Sequence, residues 1–198
     1  MTMVTIILAS GSPRRRELLQ KAKVPFKVIH PNIDEDVYTQ TTSTEIVTEI
    51  AKRKVEAVVN IFKQESPRWI VGADTMIEVS GQCVGKPESI EDAEKFLRML
   101  SGRIHRVHTG LALLPEKDKP IVTALATSEV KFRKMTDNEI HFYLNSGEWS
   151  GAAGAYRIQE QGSFFIEWIR GSYSNVVGLP LETFYTLLRE NNYPFFKE

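Results

Sequence analysis

The sequence predicts a mixed α/β fold, and three features predict it. Strand-like and helix-like segments alternate from VTIIL at 4–8 to an amphipathic run that closes at Leu100. Two long strand-like stretches, IHRVHTGLALL and IVTALATSEVKF, then follow as neighbours across the polar tip PEKDK, so hairpin pairing joins the earlier βα alternation. No linker, internal repeat or low-complexity run interrupts the 198 residues. One domain spanning 1–198 is therefore expected, with room for two lobes around a cleft.

Each element has its own local reason. Strand Val4–Leu8 is β-branched and apolar. The helix Pro13–Ala22 starts where Ser12 suits the N-cap and Pro13 the first helical position, at which a missing N–H is no loss. A short strand around Phe26–Ile29 precedes the polar loop PNIDEDVYTQTTS. Ser43 or Thr44 then caps a helix running to about Phe62, with Val47, Ile50, Ala51, Val58 and Ile61 as its apolar stripe. WIVGADTMIEV is a strong strand, and SGQ turns it into a shorter one, CVGKP. Ser89–Asp92 has the pattern of a capping box and opens a helix whose apolar face is Ala93, Phe96, Leu97 and Leu100. Thr136–Glu139 repeats that pattern for a helix ending near Ser146-Gly147; FFIEWI is a strand and LETFYTLLREN a terminal helix.

Composition narrows the function. Lys and Arg total 25 and Asp and Glu total 25, for a net charge of zero. That balance argues against a nucleic-acid coat or a membrane-surface protein, both of which need a one-signed field. Cys83 is the single cysteine, so an internal disulfide and a cysteine zinc cluster are excluded. Neither a long apolar run nor a basic leader is present, and the expected location is cytoplasmic.

Against that neutral background, three charge placements stand out. Arg14, Arg15 and Arg16 occupy the first turn of the first helix, where the backbone is already positive. A strand, a Ser/Gly loop and a helix N-terminus make an anion site, and arginines add bidentate donors for phosphate oxygens. Asp74 interrupts an apolar strand; a carboxylate there costs several kcal/mol unless it is paired or liganded, about the magnitude seen for buried charges. Lys54 falls on the apolar stripe of the long helix, either snorkelling at the helix edge or supplying a point charge. Asp34, Glu35 and Asp36 lie in an acidic loop, and Lys86 sits beside a turn. Cations and carboxylates spread over separate loop ends are the mixture that phosphates with a divalent metal require. The histidines form no metal spacing, because His105 and His108 lie three apart in a strand and point to opposite faces. GxSxG, GxGxxG and Walker A patterns are all absent.

SGSPRRREL, IDE, GADT, GKP, LSGRIHRVHTG, SGE…AGAYRIQ and GSYSNVVGLPL occur in one order across nearly the whole chain. In these motifs the sequence resembles the Maf family of nucleoside triphosphate pyrophosphatases. The resemblance implies a two-lobed α/β fold like that of inosine triphosphatase, with an extended mixed sheet, flanking helices and a central cleft. It implies hydrolysis of a nucleoside triphosphate to the monophosphate and pyrophosphate with a divalent cation (magnesium, manganese or cobalt), in a nucleotide-pool house-cleaning role. By that resemblance Ser10, Arg14, Arg15, Lys54 and Lys86 bind substrate. Glu35 and Asp74 are the acidic, metal-holding and catalytic pair, with Asp74 the proton acceptor. Arg14, Thr75 and Gln159 match the subfamily that acts on dTTP and UTP. Family members are often homodimers, and neither a nucleic acid nor a membrane is an expected partner. The alternative is a nucleotide-binding regulator of cell division with little turnover.

The chain also departs from the family pattern. Trp149 and Ala152 stand in SGEWSGAAG where Pro and Lys are usual, which removes one cation. Arg157 and Glu160 flank Gln159 in place of smaller residues, and Arg157 is a candidate replacement for the missing lysine.

Overall fold

A computed structural model describes residues 3–34, 42–62, 68–116 and 118–195. Its elements are β1 (Ile6–Ala9), α1 (Pro13–Lys21), β2 (Phe26–Ile29), α2 (Ser43–Val59), β3 (Arg68–Val79), β4 (Gln82–Val84) and α3 (Ile90–Leu100), followed by β5 (Ile104–Glu116), β6 (Val122–Phe132), α4 (Asp137–Asn145), β7 (Ile166–Arg170), α5 (Tyr173–Val177) and α6 (Leu181–Glu190). The seven strands form one sheet in the order β2-β1-β3-β5-β6-β7, with β4 paired to β3. β1 runs parallel to β2 and β3, whereas β4 is antiparallel to β3 and β7 to β6. The mixed sheet flanked by helices is the expected fold class. Among the described residues, no helix is long and apolar enough to cross a membrane.

The chain divides into two compact units. The first comprises Met1–Asp74, Thr109–Ala126 and Gly178–Glu198, and the second comprises Thr75–His108 and Thr127–Val177. In the first unit the sheet is buried on both faces, because alternate strand residues serve different cores. Val71, Ala73, Leu111 and Leu113 pack with Leu19 of α1 and Phe184, Leu187 and Leu188 of α6. Ile70, Ala112 and Leu114 instead pack with Ala51, Val55 and Val58 of α2. In the second unit Ile77, Val107, Leu97, Leu100, Phe132 and Ile140 are buried.

α2 lies so close to the sheet that only hydrogen fits beneath it at two points. A Cβ on Gly72 would stand 2.4 Å from the Ala51 carbonyl oxygen, and one on Gly110 would stand 2.4 Å from that of Val47. Gly72→Ala should therefore lift α2, which carries Lys54. The expected loss is about 1–3 kcal/mol by the scale of overpacked cores, read as a lower denaturant midpoint. An unchanged midpoint would show that the helix shifts without cost.

Several element ends differ from the sequence reading for physical reasons. Thr42, rather than Ser43 or Thr44, caps α2. Its side chain accepts from the Glu45 N–H, and the Glu45 carboxylate accepts from the Thr42 N–H at 3.0 Å, which completes a capping box. α2 ends at Val59, which leaves Ile61 exposed rather than on the apolar stripe. Lys54 and Val55 fill the buried face instead. FFIEWI is a strand only from Ile166, because the Ser163 N–H donates to the Glu160 carbonyl at 3.0 Å and the Ile166 N–H to that of Ser163, winding residues 161–165 into a 3₁₀ turn. The short α5 was not anticipated; the Ser172 hydroxyl accepts from the Asn175 N–H at 3.3 Å and starts it.

The two histidines of β5 do part, as strand alternation requires. His105 Nε2 lies 2.8 Å from the Tyr156 hydroxyl, and burial pushes its pKa down to about 3, so the ring stays neutral. His108 Nδ1 instead lies 2.9 Å from the Thr127 hydroxyl.

Candidate active site

The loop between β1 and α1 is folded around one hydroxyl. Ser10 Oγ accepts from the Ser12 N–H at 3.2 Å and from Arg15 Nη1 at 3.1 Å. Arg15 Nε donates to the Gly178 carbonyl at 2.7 Å. Ser12 caps α1 as expected, accepting from the Arg15 N–H at 3.5 Å. Ser10 and Arg15 are therefore brought together, and Arg15 is only 8% exposed. Arg14 is half-buried and Arg16 exposed. The first turn of α1 holds no acidic residue, so the helix terminus and its arginines add positive charge at the same point. Arg15 is fixed by the protein itself, through Ser10 and Gly178.

The two residues that looked misplaced in the sequence are partners. Lys54 Nζ donates to Asp74 Oδ1 at 2.7 Å, with the lysine 4% and the aspartate 7% exposed. Lys54 does not snorkel: the close approach of α2 at Gly72 brings its ammonium down to the strand. A buried charge is tolerable when an opposite charge and a hydrogen bond meet it, and each of these supplies both to the other. The pair is local to the first unit. It leaves Asp74 a rigidly held, buried carboxylate.

Thr75, Lys86 and Gln159 belong to the second unit. Thr75 follows Asp74 in β3 and so faces the other side of the strand. Lys86 is exposed just past β4, where the neighbouring Gly85 carbonyl accepts from the Gly154 N–H at 2.9 Å. Gln159 is half-buried, and its Oε1 is enclosed with no hydrogen-bond partner among the described residues. Ala152, in the place of the family lysine, is 2% exposed. Arg157 Nη2 donates to the Ser150 carbonyl at 3.0 Å, so the candidate replacement for that lysine is held by its own loop. The Trp149 indole donates to the Leu144 carbonyl at 3.0 Å.

Glu35 and Asp36 lie outside the described residues. Among those described, no three His, Cys, Asp or Glu side chains gather in a metal-holding group. Asp74 alone still suits a magnesium-like ion in donor type, since such ions commonly take one or two carboxylates and complete their shell with phosphate oxygens and water.

Sequence reasoning singled out Lys54 and Asp74 separately but not as a pair. It also missed the Gly178 carbonyl, for which a glycine offers no side-chain signal.

Comparison with known proteins bears on this arrangement. The family model described as Maf-like protein matches residues 5–191. The dTTP/UTP pyrophosphatase of Thermococcus onnurineus (strain NA1) is 42% identical over 182 residues, covering 92% of this chain and 95% of the relative. Those of Alkaliphilus oremlandii (strain OhILAs) and Bacillus cereus (strain AH187) are each 40% identical, covering 96% of this chain and 97% of the relative. The solved structure of the Staphylococcus aureus Ham1 protein aligns over 94% of this chain and 97% of its own, with a TM-score of 0.50 at 15% identity, a likeness of fold alone. With the family model matched across almost its whole length, the chain belongs to the Maf-like protein family.

Proposed function

We propose that this chain is a nucleoside triphosphate pyrophosphatase acting on dTTP and UTP, in a nucleotide-pool house-cleaning role. The observation that carries the reading is the buried, lysine-held carboxylate of Asp74 in the middle of a mostly apolar strand. A chain that only sensed nucleotides would need the arginines of the α1 terminus but not a rigid carboxylate able to take a proton. The names of the relatives at 40–42% identity support the same substrates.

In this reading a water oxygen attacks the α-phosphorus. The bond from that phosphorus to the α–β bridging oxygen breaks, and pyrophosphate leaves with the bond's electron pair. Asp74 takes the proton of the attacking water. Lys54 orients the carboxylate through its 2.7 Å hydrogen bond, and Arg14, Arg15 and Lys86 offset negative charge on the phosphates. A divalent cation, held by Asp74 and Glu35, would polarise phosphate oxygens. Gln159 Oε1 accepts from the N3–H of uracil or thymine, an edge that cytosine lacks.

Pyrophosphate release from dTTP, UTP, CTP, ATP and GTP, each with magnesium, manganese or cobalt, tests the proposal. The expected order is dTTP and UTP best, CTP weaker, ATP and GTP poor. Gln159→Ala should flatten the difference between UTP and CTP while some turnover survives. A preference for GTP would remove the pyrimidine assignment. Tight binding with no release from any nucleotide under any metal would favour a regulator.

A further inference from the structure

The segment carrying Gln159 is gripped on both sides by two side chains from another stretch of the second unit. Two residues before Gln159, the Arg157 N–H donates to the Tyr143 hydroxyl at 3.0 Å. Two residues after it, the Gln161 N–H donates to Glu148 Oε1 at 3.3 Å. The gripping side chains are themselves anchored. Tyr143 is fully buried with its ring edge-on to Phe165, centroids 5.7 Å apart. The Glu148 N–H donates to Ser146 Oγ at 3.2 Å, and the Ser146 hydroxyl to the Tyr143 carbonyl at 2.7 Å. Burial foremost, and then the neighbouring Glu148 carboxylate, push the Tyr143 hydroxyl pKa well up, so it stays neutral beside that charge.

A second observation concerns the same residues. Glu148 Oε2, Arg157 Nε, Gln159 Oε1 and Gln161 Oε1 are all buried without a hydrogen-bond partner among the described residues. Such atoms are rare in protein interiors, and each calls for an explanation such as a ligand or a functional role. Here they concentrate on the gripped segment and on the carboxylate that grips it. A hydrogen-bonding site rejects the wrong base only so far as it cannot re-form around that base.

We infer that Tyr143 and Glu148 are positioning residues for base choice, clamping the backbone on either side of Gln159 so that its acceptor stays set for the N3–H of uracil or thymine. This rests on the base-reading role proposed above for Gln159. Neither residue touches the base in this account; both act through the segment they hold.

The test is the ratio of kcat/KM for UTP to that for CTP, measured on full-length variants whose folding is checked by circular dichroism. Tyr143→Phe keeps the ring and its contact with Phe165 but loses the acceptor for Arg157. The ratio should fall about tenfold, the scale of one hydrogen bond to a buried group. Glu148→Ala should lower it similarly, and Glu148→Gln, which retains a carbonyl acceptor, should restore most of it. A merely structural role would reduce both nucleotides alike and leave the ratio unchanged, which would overturn the clamp. Should Tyr143→Phe fail to fold, the Glu148 pair decides. Gln159→Ala measured alongside separates the two ideas. If it flattens the ratio while the clamp variants keep it, the clamp is wrong and the base reading stands; if it too keeps the ratio, the base reading fails and the clamp falls with it.

Discussion

Asp74→Asn is expected to lower pyrophosphate release at least about 100-fold, the lower end of what a positioned general base contributes. The amide has nearly the same volume and still offers an oxygen to Lys54, so β3 should form. It cannot take a proton from water, and it offers a cation a weaker ligand. The structure adds a consequence that the strand pattern did not contain. Asp74 pairs with a lysine that is 4% exposed, so the variant also removes an ion-pair partner of a buried ammonium, and its melting temperature should fall. Activity must therefore be compared at equal folded fraction, by titrating the variant in denaturant and assaying where folding is complete. Turnover equal to the wild type under that condition would remove Asp74 from the chemistry.

Lys54→Met has the largest expected effect on stability. Removing one partner of a buried ion pair leaves the other as an uncompensated charge and costs about 3–5 kcal/mol. Methionine follows the lysine stem along the same buried face of α2, so loss of the ammonium outweighs loss of contact area. Equilibrium denaturation at neutral pH measures the loss. The double variant Lys54→Met/Asp74→Asn should be more stable than Lys54→Met alone, because no charge then remains unpaired; the coupling is read from the four-member cycle. Additive losses would mean that the 2.7 Å contact contributes nothing to folding. Turnover of Lys54→Met should fall as well, since the carboxylate loses the group that orients it.

The two variants also show what was legible in the chain. Ser12 and Thr136 announce their helices through side chains that reach a backbone N–H only three residues away. Asp74 and Lys54 each broke a local pattern of burial, and that was enough to mark them as exceptional. Gln159 was legible only through a family motif, since half-buried glutamines in irregular segments carry no pattern of their own. Phe164 and Phe165 read as strand but close the 3₁₀ turn at 161–165, because two adjacent phenylalanines suit either conformation.

What the sequence determined by itself is therefore short-range: the order and type of most elements, the caps at Ser12, Ser89 and Thr136, and which residues are chemically out of place. The tertiary structure decided the partners. Lys54 meets Asp74 twenty positions away, Arg15 meets Gly178 across 163 positions, and Tyr143 and Glu148 meet the backbone on either side of Gln159. The reason is that caps and periodicities depend on neighbours the helix or strand geometry always supplies. A buried charge or an unpaired backbone N–H instead takes whichever group the strand order and the approach of a helix bring within about 3 Å, and that distance is set only when the sheet has closed and α2 has settled over Gly72 and Gly110.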